Sequence, residues 1–351
     1  MKTVNINIGE PYAVHVGIGI LSRCGKRIAK LSHQDYKQVV IITDNTVADL
    51  YGSVVADSVR SSGYSVNIFS IEDGSVGKNI ETALEIVEFL AGENFTNEDL
   101  IVALGGSSVI DVAGFVASVY RGGVDYVQIP TTFIASVESS VGGSNGLNTS
   151  EVRDLFGTTY HPRLVICDAE TFFSLTGDSF VDGVAEAIKY GCIWDAELLD
   201  TVATDGITQN HLVEVISKCI ETKMKIIAED EYDAGIRKFL KFGDTVGHAI
   251  EILSNYTVSR GKAIAVGMFV ATKAGEKAGI TEPGTTSRVL EALVRCNLPS
   301  KCEYRFSEIA EICKRERKRS REDVDFVILQ KIGKAGIHRV SPDELEKFMK
   351  A

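Results

Sequence analysis

Proline is scarce in this chain, with 6 in 351 residues, and there is a single tryptophan. So little proline excludes a collagen-like or Pro-rich disordered chain. No run of 18 apolar residues occurs, so no membrane-spanning helix is expected. The first residues, MKTVNINIGEPYAVHVG, alternate like a strand and lack the apolar core of a signal peptide. The seven cysteines are scattered and never spaced C-x-x-C, which offers no zinc knuckle and fits free thiols in a reducing cytoplasm. Positive charge is also in deficit. Lys and Arg total 37 against 48 Asp and Glu, a formal net charge of −11. That balance disfavours nucleic acid or an anionic membrane as the main partner.

What remains is an ordinary globular composition, 44% apolar and 24% charged, with 32 glycines for tight turns. The length suits two domains. Val39–Thr43 and Leu100–Leu104 are continuous apolar runs, Tyr126–Pro130 and then Leu164–Cys167 follow, and Tyr64–Ser70 alternates. Continuous runs predict strands buried on both faces of a parallel sheet. Helical periods separate them at Ile80–Leu90 and Val109–Tyr120. From about residue 171 the pattern turns helical: Phe180–Trp194, His211–Ala228, Ile236–Ser254, Lys262–Ala278 and Thr286–Cys296. One strand is expected late, at Val324–Leu329. The reading is an α/β nucleotide-binding domain over 1–170 and a mostly α-helical domain over 171–351.

Gly105-Gly106-Ser107-Ser108 follows a buried strand and opens a helix. Such a turn lets a pyrophosphate approach the backbone, although it also serves as a plain strand-to-helix connection. Asp44 ends a strand, where a carboxylate takes a ribose hydroxyl or caps the next helix. Thr131-Thr132 and the Ser/Thr/Gly-rich stretch after it lie at a strand's carboxyl end, where α/β sheets bind ligands. Glu186 and Lys189 share a helix face, as a surface pair or as site groups. Lys241, Asp244, His248 and Glu251 form a stripe on one predicted helix, lining either solvent or a polar hollow. The run at 314–321 is a charged loop with anion binding as its second reading.

Taken together, Leu104-Gly105-Gly106, Val109–Phe115, Gln128–Thr132, Glu138–Gly143, Gly183–Gly191, Phe242–Glu251 and Phe326–Gly333 resemble the dehydroquinate synthase family of sugar-phosphate cyclases over nearly the full length. The resemblance implies an N-terminal NAD-binding α/β domain and a helical substrate and metal domain. It implies a cytoplasmic lyase of aromatic amino acid biosynthesis that takes a small sugar phosphate, often as a homodimer. In such enzymes an alcohol is oxidised, phosphate leaves by elimination, the ketone is reduced again, and the ring closes by an aldol step.

Carried across by position, Asp44, Lys78, Gly105, Gly106, Ser107, Asp111, Thr131 and Thr132 are implied to contact NAD. Glu138, Lys189, Lys223, Arg237 and His248 are implied in catalysis. Arg121, Arg153, Lys241 and Lys318 are implied to bind substrate. The family's divalent metal, zinc or cobalt, is held by one Glu and two His. Here those positions read Glu186, Asp244 and Arg260, and a guanidinium cannot ligate a metal. An anion-binding Lys is replaced within Gly143-Ser144-Asn145, and a Gly-Lys-Asn triplet reads Val152-Arg153-Asp154. The charges of Glu186, Asp244, Arg260 and Lys241 cancel without a metal. The expectation is that Arg260, with Lys241, pairs with Glu186 and Asp244 in the metal's place. Three functions fit these residues: a 3-dehydroquinate synthase-like cyclase, a metal-independent relative acting on another polyol or sugar phosphate, and a catalytically silent NAD-binding homologue.

Overall fold

The computed structural model describes residues 1–31, 36–149, 153–174, 179–230, 235–317 and 323–350. Contacts divide the chain into two compact units, Met1–Thr176 and Gly177–Ala351.

The first unit is built on strands Lys2–Ile6 (β1), Tyr12–Gly17 (β2), Gln38–Asp44 (β3), Ser65–Ile71 (β4), Leu100–Gly105 (β5), Tyr126–Pro130 (β6), Ser144–Leu147 (β7), Phe156–Thr159 (β8) and Leu164–Asp168 (β9). Seven of them form one sheet in the order β1-β2-β9-β6-β5-β3-β4. All neighbours pair in parallel except the β1–β2 hairpin at the edge. The apolar runs explain this arrangement. Val39, Ile41, Leu100, Val102 and Leu104 point into one core with helices Cys24–Ile28 and Ser53–Arg60. Val40, Ile42, Ile101 and Ala103 point into the other, against helices Ile80–Gly92 and Ser107–Val119. A strand that is apolar at every position has to be covered on both faces, and helices cover this sheet on both. The stretch after Thr132, expected as loop, contributes the separate β7–β8 hairpin.

The second unit is helical, with Ser179–Ile193, Ala196–Asp205, Gln209–Glu229, Asp244–Leu253, Arg260–Lys277, Thr285–Arg295 and Phe306–Arg317. Its hairpin pairs the expected strand, Val324–Lys331 (β10), with Lys334–Val340 (β11), which the sequence reading missed. One expected element divides. Instead of a single helix over Ile236–Ser254, a short 3-10 turn, Ile236–Lys241, precedes the Asp244–Leu253 helix. The break is at Gly243, whose φ is +86°. A Cβ there would stand 2.7 Å from the carbonyl oxygen of Ile264 on the Arg260–Lys277 helix. The left-handed backbone and the close approach both require glycine. Among the described residues, no helix is long and apolar enough to cross a membrane.

Candidate active site

In the first unit the candidate residues gather at the carboxyl ends of β3, β5 and β6. Gly105 closes β5, and a Cβ on it would lie 2.6 Å from a methyl of Val109. Only a bare backbone lets the chain turn this tightly from strand into helix. Gly106 is the N-cap of the Ser107–Val119 helix, and no side chain caps it. Its first N–H groups are therefore presented at the strand ends. Thr131 donates its backbone N–H to the Gly105 carbonyl at 2.9 Å. The Thr131 hydroxyl is buried and has no hydrogen-bond partner among the described residues. A tight glycine turn, an uncapped helix start and an orphaned hydroxyl together fit a dinucleotide pyrophosphate, so the site passes this test for NAD. Asp44 is the helix cap that the simpler reading allowed, accepting from the Val47 N–H at 2.8 Å. Burial raises its carboxyl pKa, and the Val47 hydrogen bond partly offsets that rise.

Lys78 and Asp111 form a buried ion pair at 2.5 Å. Asp154 brings a second carboxylate to the same ammonium, also at 2.5 Å. Burial alone would lower the Lys78 pKa, but the two carboxylates outweigh it and hold the ammonium above its ordinary value. Asp154 had been visible only as a departure from a Gly-Lys-Asn triplet, and nothing local marks it as a partner of Lys78. Glu138, in the Ala135–Ser139 turn, accepts from the Ser139 hydroxyl at 3.2 Å. Arg153 is exposed in the turn before β8. Arg121 lies at the far end of the Ser107–Val119 helix from Gly106, about 20 Å away at 1.5 Å per residue. There its Nε donates to the Phe95 carbonyl at 3.1 Å, and the structure does not bring it to the glycine turn.

The second unit holds the charged cluster. Glu186 and Lys189 lie on the Ser179–Ile193 helix, 1% and 4% exposed, with Nζ 2.6 Å from Oε2. The Lys189 ammonium loses stability by burial, yet Glu186 and then Asp244 more than restore it, and its pKa is raised. Asp244, His248 and Glu251 share one face of the Asp244–Leu253 helix. His248 Nδ1 is 3.8 Å from the Glu251 carboxylate. Arg260 opens the next helix, with its guanidinium 3.7 Å from Asp244 and 3.8 Å from Glu251. Arg260 thus meets Asp244, as expected, and also reaches Glu251, while Lys189 lies against Glu186. Lys241 is exposed on its own turn, separated from the Asp244 helix by Gly243. It nevertheless lines a hollow of about 490 Å³ together with Lys238, Asp244, His248 and Arg260. Lys223 is buried on the Gln209–Glu229 helix. The Arg237 backbone is anchored by Asp230, which accepts its N–H at 2.9 Å. Lys318 lies outside the described residues.

Asp182 is a further contributor that sequence reasoning missed. Its carboxylate accepts from the Ser259 hydroxyl and the Gly261 N–H, each at 2.7 Å. The helix that carries Glu186 thereby caps the helix that carries Arg260. The cap fixes the start of that helix one residue from the guanidinium.

A divalent metal does not fit this donor set. At the ligand positions a guanidinium stands in place of one His, and it lies across Asp244 and Glu251. Among the described residues, no three of His, Cys, Asp and Glu come together as a possible ligand group. Arg260, at the third ligand position, offers no lone pair to a metal and brings a positive charge instead.

Comparison with known proteins places this geometry. The chain matches the 3-dehydroquinate synthase N-terminal model over residues 68–182 and the C-terminal model over 183–319. It is 35% identical to the 3-dehydroquinate synthase of Streptococcus sanguinis, with 99% of each chain covered. It is also 35% identical to that of Clostridium acetobutylicum, covering 100% of this chain and 99% of the relative. Among solved structures, 2-deoxy-scyllo-inosose synthase complexed with carbaglucose-6-phosphate, NAD+ and Co2+ superposes with a TM-score of 0.88 at 22% identity, covering 99% of both chains. The 2-epi-5-epi-valiolone synthase of Streptomyces hygroscopicus, with NAD+ and Zn2+ bound, gives 0.86 at 21%, covering 99% of this chain and 98% of that one.

Proposed function

The chain belongs to the 3-dehydroquinate synthase family, and from that premise we propose that it is an NAD-dependent sugar-phosphate cyclase eliminating phosphate from 3-deoxy-arabino-heptulosonate 7-phosphate. The observation that carries this reading is the 490 Å³ hollow in which Lys238, Lys241, His248 and Arg260 stand with Asp244 and Asp325. Three cations against two carboxylates give the hollow a positive balance that suits an anionic ligand.

Gly105, Gly106, Ser107, Thr131 and Thr132 hold the dinucleotide, with Asp44 toward its ribose. Lys78 and Asp111 brace the helix that Gly106 opens. When bound, NAD supplies a hydride acceptor for the substrate alcohol and a hydride donor for the ketone. Arg237, Lys241 and Lys223 bind the carboxylate and phosphate of the substrate, with Arg153 and Lys318 as further anion-binding positions. His248 takes a proton from the substrate, and its neighbour Glu251 stabilises the imidazolium that results. Lys189, held charged by Glu186, neutralises that buried carboxylate. Glu138 is a second candidate for proton transfer. The protein acts in the cytoplasm and assembles as a homodimer.

The test is phosphate release from 3-deoxy-arabino-heptulosonate 7-phosphate by purified protein with NAD. Release at a steady rate, lost in His248→Ala, is the expected result. Arg260 at a metal-ligand position favours a second reading, a relative acting on another polyol or sugar phosphate. NAD reduction by a different sugar phosphate, without phosphate release from the first, would establish it.

Cofactor binding has its own test. A methyl at Gly105 forces Val109 or the turn to move, a strain of about 1–3 kcal/mol. Gly105→Ala is expected to weaken NAD binding tenfold to a hundredfold by calorimetry. An unchanged affinity would show that the turn does not contact the cofactor.

A further inference from the structure

We infer that this protein carries the electrophile of its site in its own chain, with the Arg260 guanidinium doing the work of a divalent ion, and that it binds no metal at Glu186 and Asp244. The inference rests on the cyclase reading above for the substrate, but its charge argument stands on the cluster alone. At the second ligand position, Asp244 already has a cation of the chain beside it, and so has its neighbour Glu251. Glu186 has Lys189 at 2.6 Å, and Asp244 and Glu251 have Arg260 at 3.7 and 3.8 Å. Arg260 is also built into position. Asp182 accepts from Ser259 and from Gly261, the residues on either side of it, at 2.7 Å each.

The two cations have different exposures. Lys189 is 4% exposed and engaged with Glu186, so it neutralises a buried charge. Arg260 is 44% exposed and lines the hollow. A guanidinium carries five N–H donors along its edges. Those edges suit a substrate hydroxyl as it becomes an alkoxide. They stabilise the developing negative oxygen by charge-assisted hydrogen bonds, and the released proton goes to a base such as His248. A guanidinium does this without dissociating, whereas a divalent ion polarises the same oxygen by coordination.

The test reads metal directly and needs no turnover. Purified protein is analysed for zinc and cobalt after incubation with each and desalting, with thermal melting followed in parallel. The expected result is far less than one metal per chain and no shift in the melting midpoint on adding either ion. Asp244→His combined with Arg260→His is expected to take up one zinc per chain and to melt higher when zinc is present. One tightly held zinc per wild-type chain, lost in Glu186→Gln, would overturn the inference. So would zinc-dependent melting of the wild type, whether or not the double variant folds. If phosphate release fails while the wild type stays metal-free, the cyclase reading falls and the charge assignment survives. Release that requires zinc sinks the inference and leaves the cyclase reading in place.

Discussion

Replacing Lys189 with methionine is expected to destabilise the protein more than any other single change at the cluster. Glu186 is 1% exposed and its carboxylate has the Lys189 ammonium at 2.6 Å. Removing one member of a buried pair leaves the other charge uncompensated, a loss of about 3–5 kcal/mol. For a unit of this size that corresponds to a melting point lower by roughly 10 °C. The loss should be conditional. Glu186→Gln in the Lys189→Met background removes the stranded charge, and much of the stability should return. Calorimetry on the wild type, the two single variants and the double variant closes the cycle. A Lys189→Met loss below about 1 kcal/mol, the range of exposed pairs, would show that water or another cation reaches Glu186.

Gly243→Ala should have the second-largest effect, through the backbone. Its φ of +86° is unfavourable for any residue with a Cβ. That strain is about 1–2 kcal/mol. The added methyl would also sit 2.7 Å from the Ile264 carbonyl and 2.8 Å from the Met268 side chain. Crowding of that kind adds about 1–3 kcal/mol, so a total near 3 kcal/mol is expected in urea unfolding. Gly243 also caps the helix that begins at Asp244, so the methyl pushes Asp244 away from the helix that carries Arg260. Substrate affinity should therefore fall even at temperatures where the variant is folded. A variant as stable as the wild type would mean that the two helices separate freely.

These two positions mark where the sequence could and could not be read. Tyr126–Pro130 is a strand over the residues its apolar run predicts, because burial on both faces leaves a purely local signature. The helices at Ile80 and Ser107 were legible for the same reason, through their period. The division at Gly243 was not legible, since apolar spacing runs straight across it and the cause lies in a helix some twenty residues later. Charge partners were the least legible part of the site. Glu186 with Lys189 follows from a helix spacing of three. Arg260 with Asp244 and Glu251, Asp182 at the next helix start, and Asp154 on Lys78 depend on how separate segments pack. Composition and spacing do not encode these pairings. The resemblance to a family identified the important positions and the meeting of Arg260 with Asp244, but not the reach of Arg260 to Glu251.

The Lys78 clamp has a consequence for how the first unit breathes. The ammonium holds Asp111 on one helix and Asp154 beside the β7–β8 hairpin, while the Lys78 carbonyl accepts from the Asn148 N–H at 2.9 Å. A two-stranded hairpin is marginally stable by itself. Tied to one lysine from both sides of its turn, it cannot open there without releasing a buried charge. Amide hydrogens of the hairpin, of the Lys78 turn and of the start of the Ser107–Val119 helix should therefore exchange with solvent as one cooperative unit, at a common rate, while the exposed turn at 153 exchanges ahead of them.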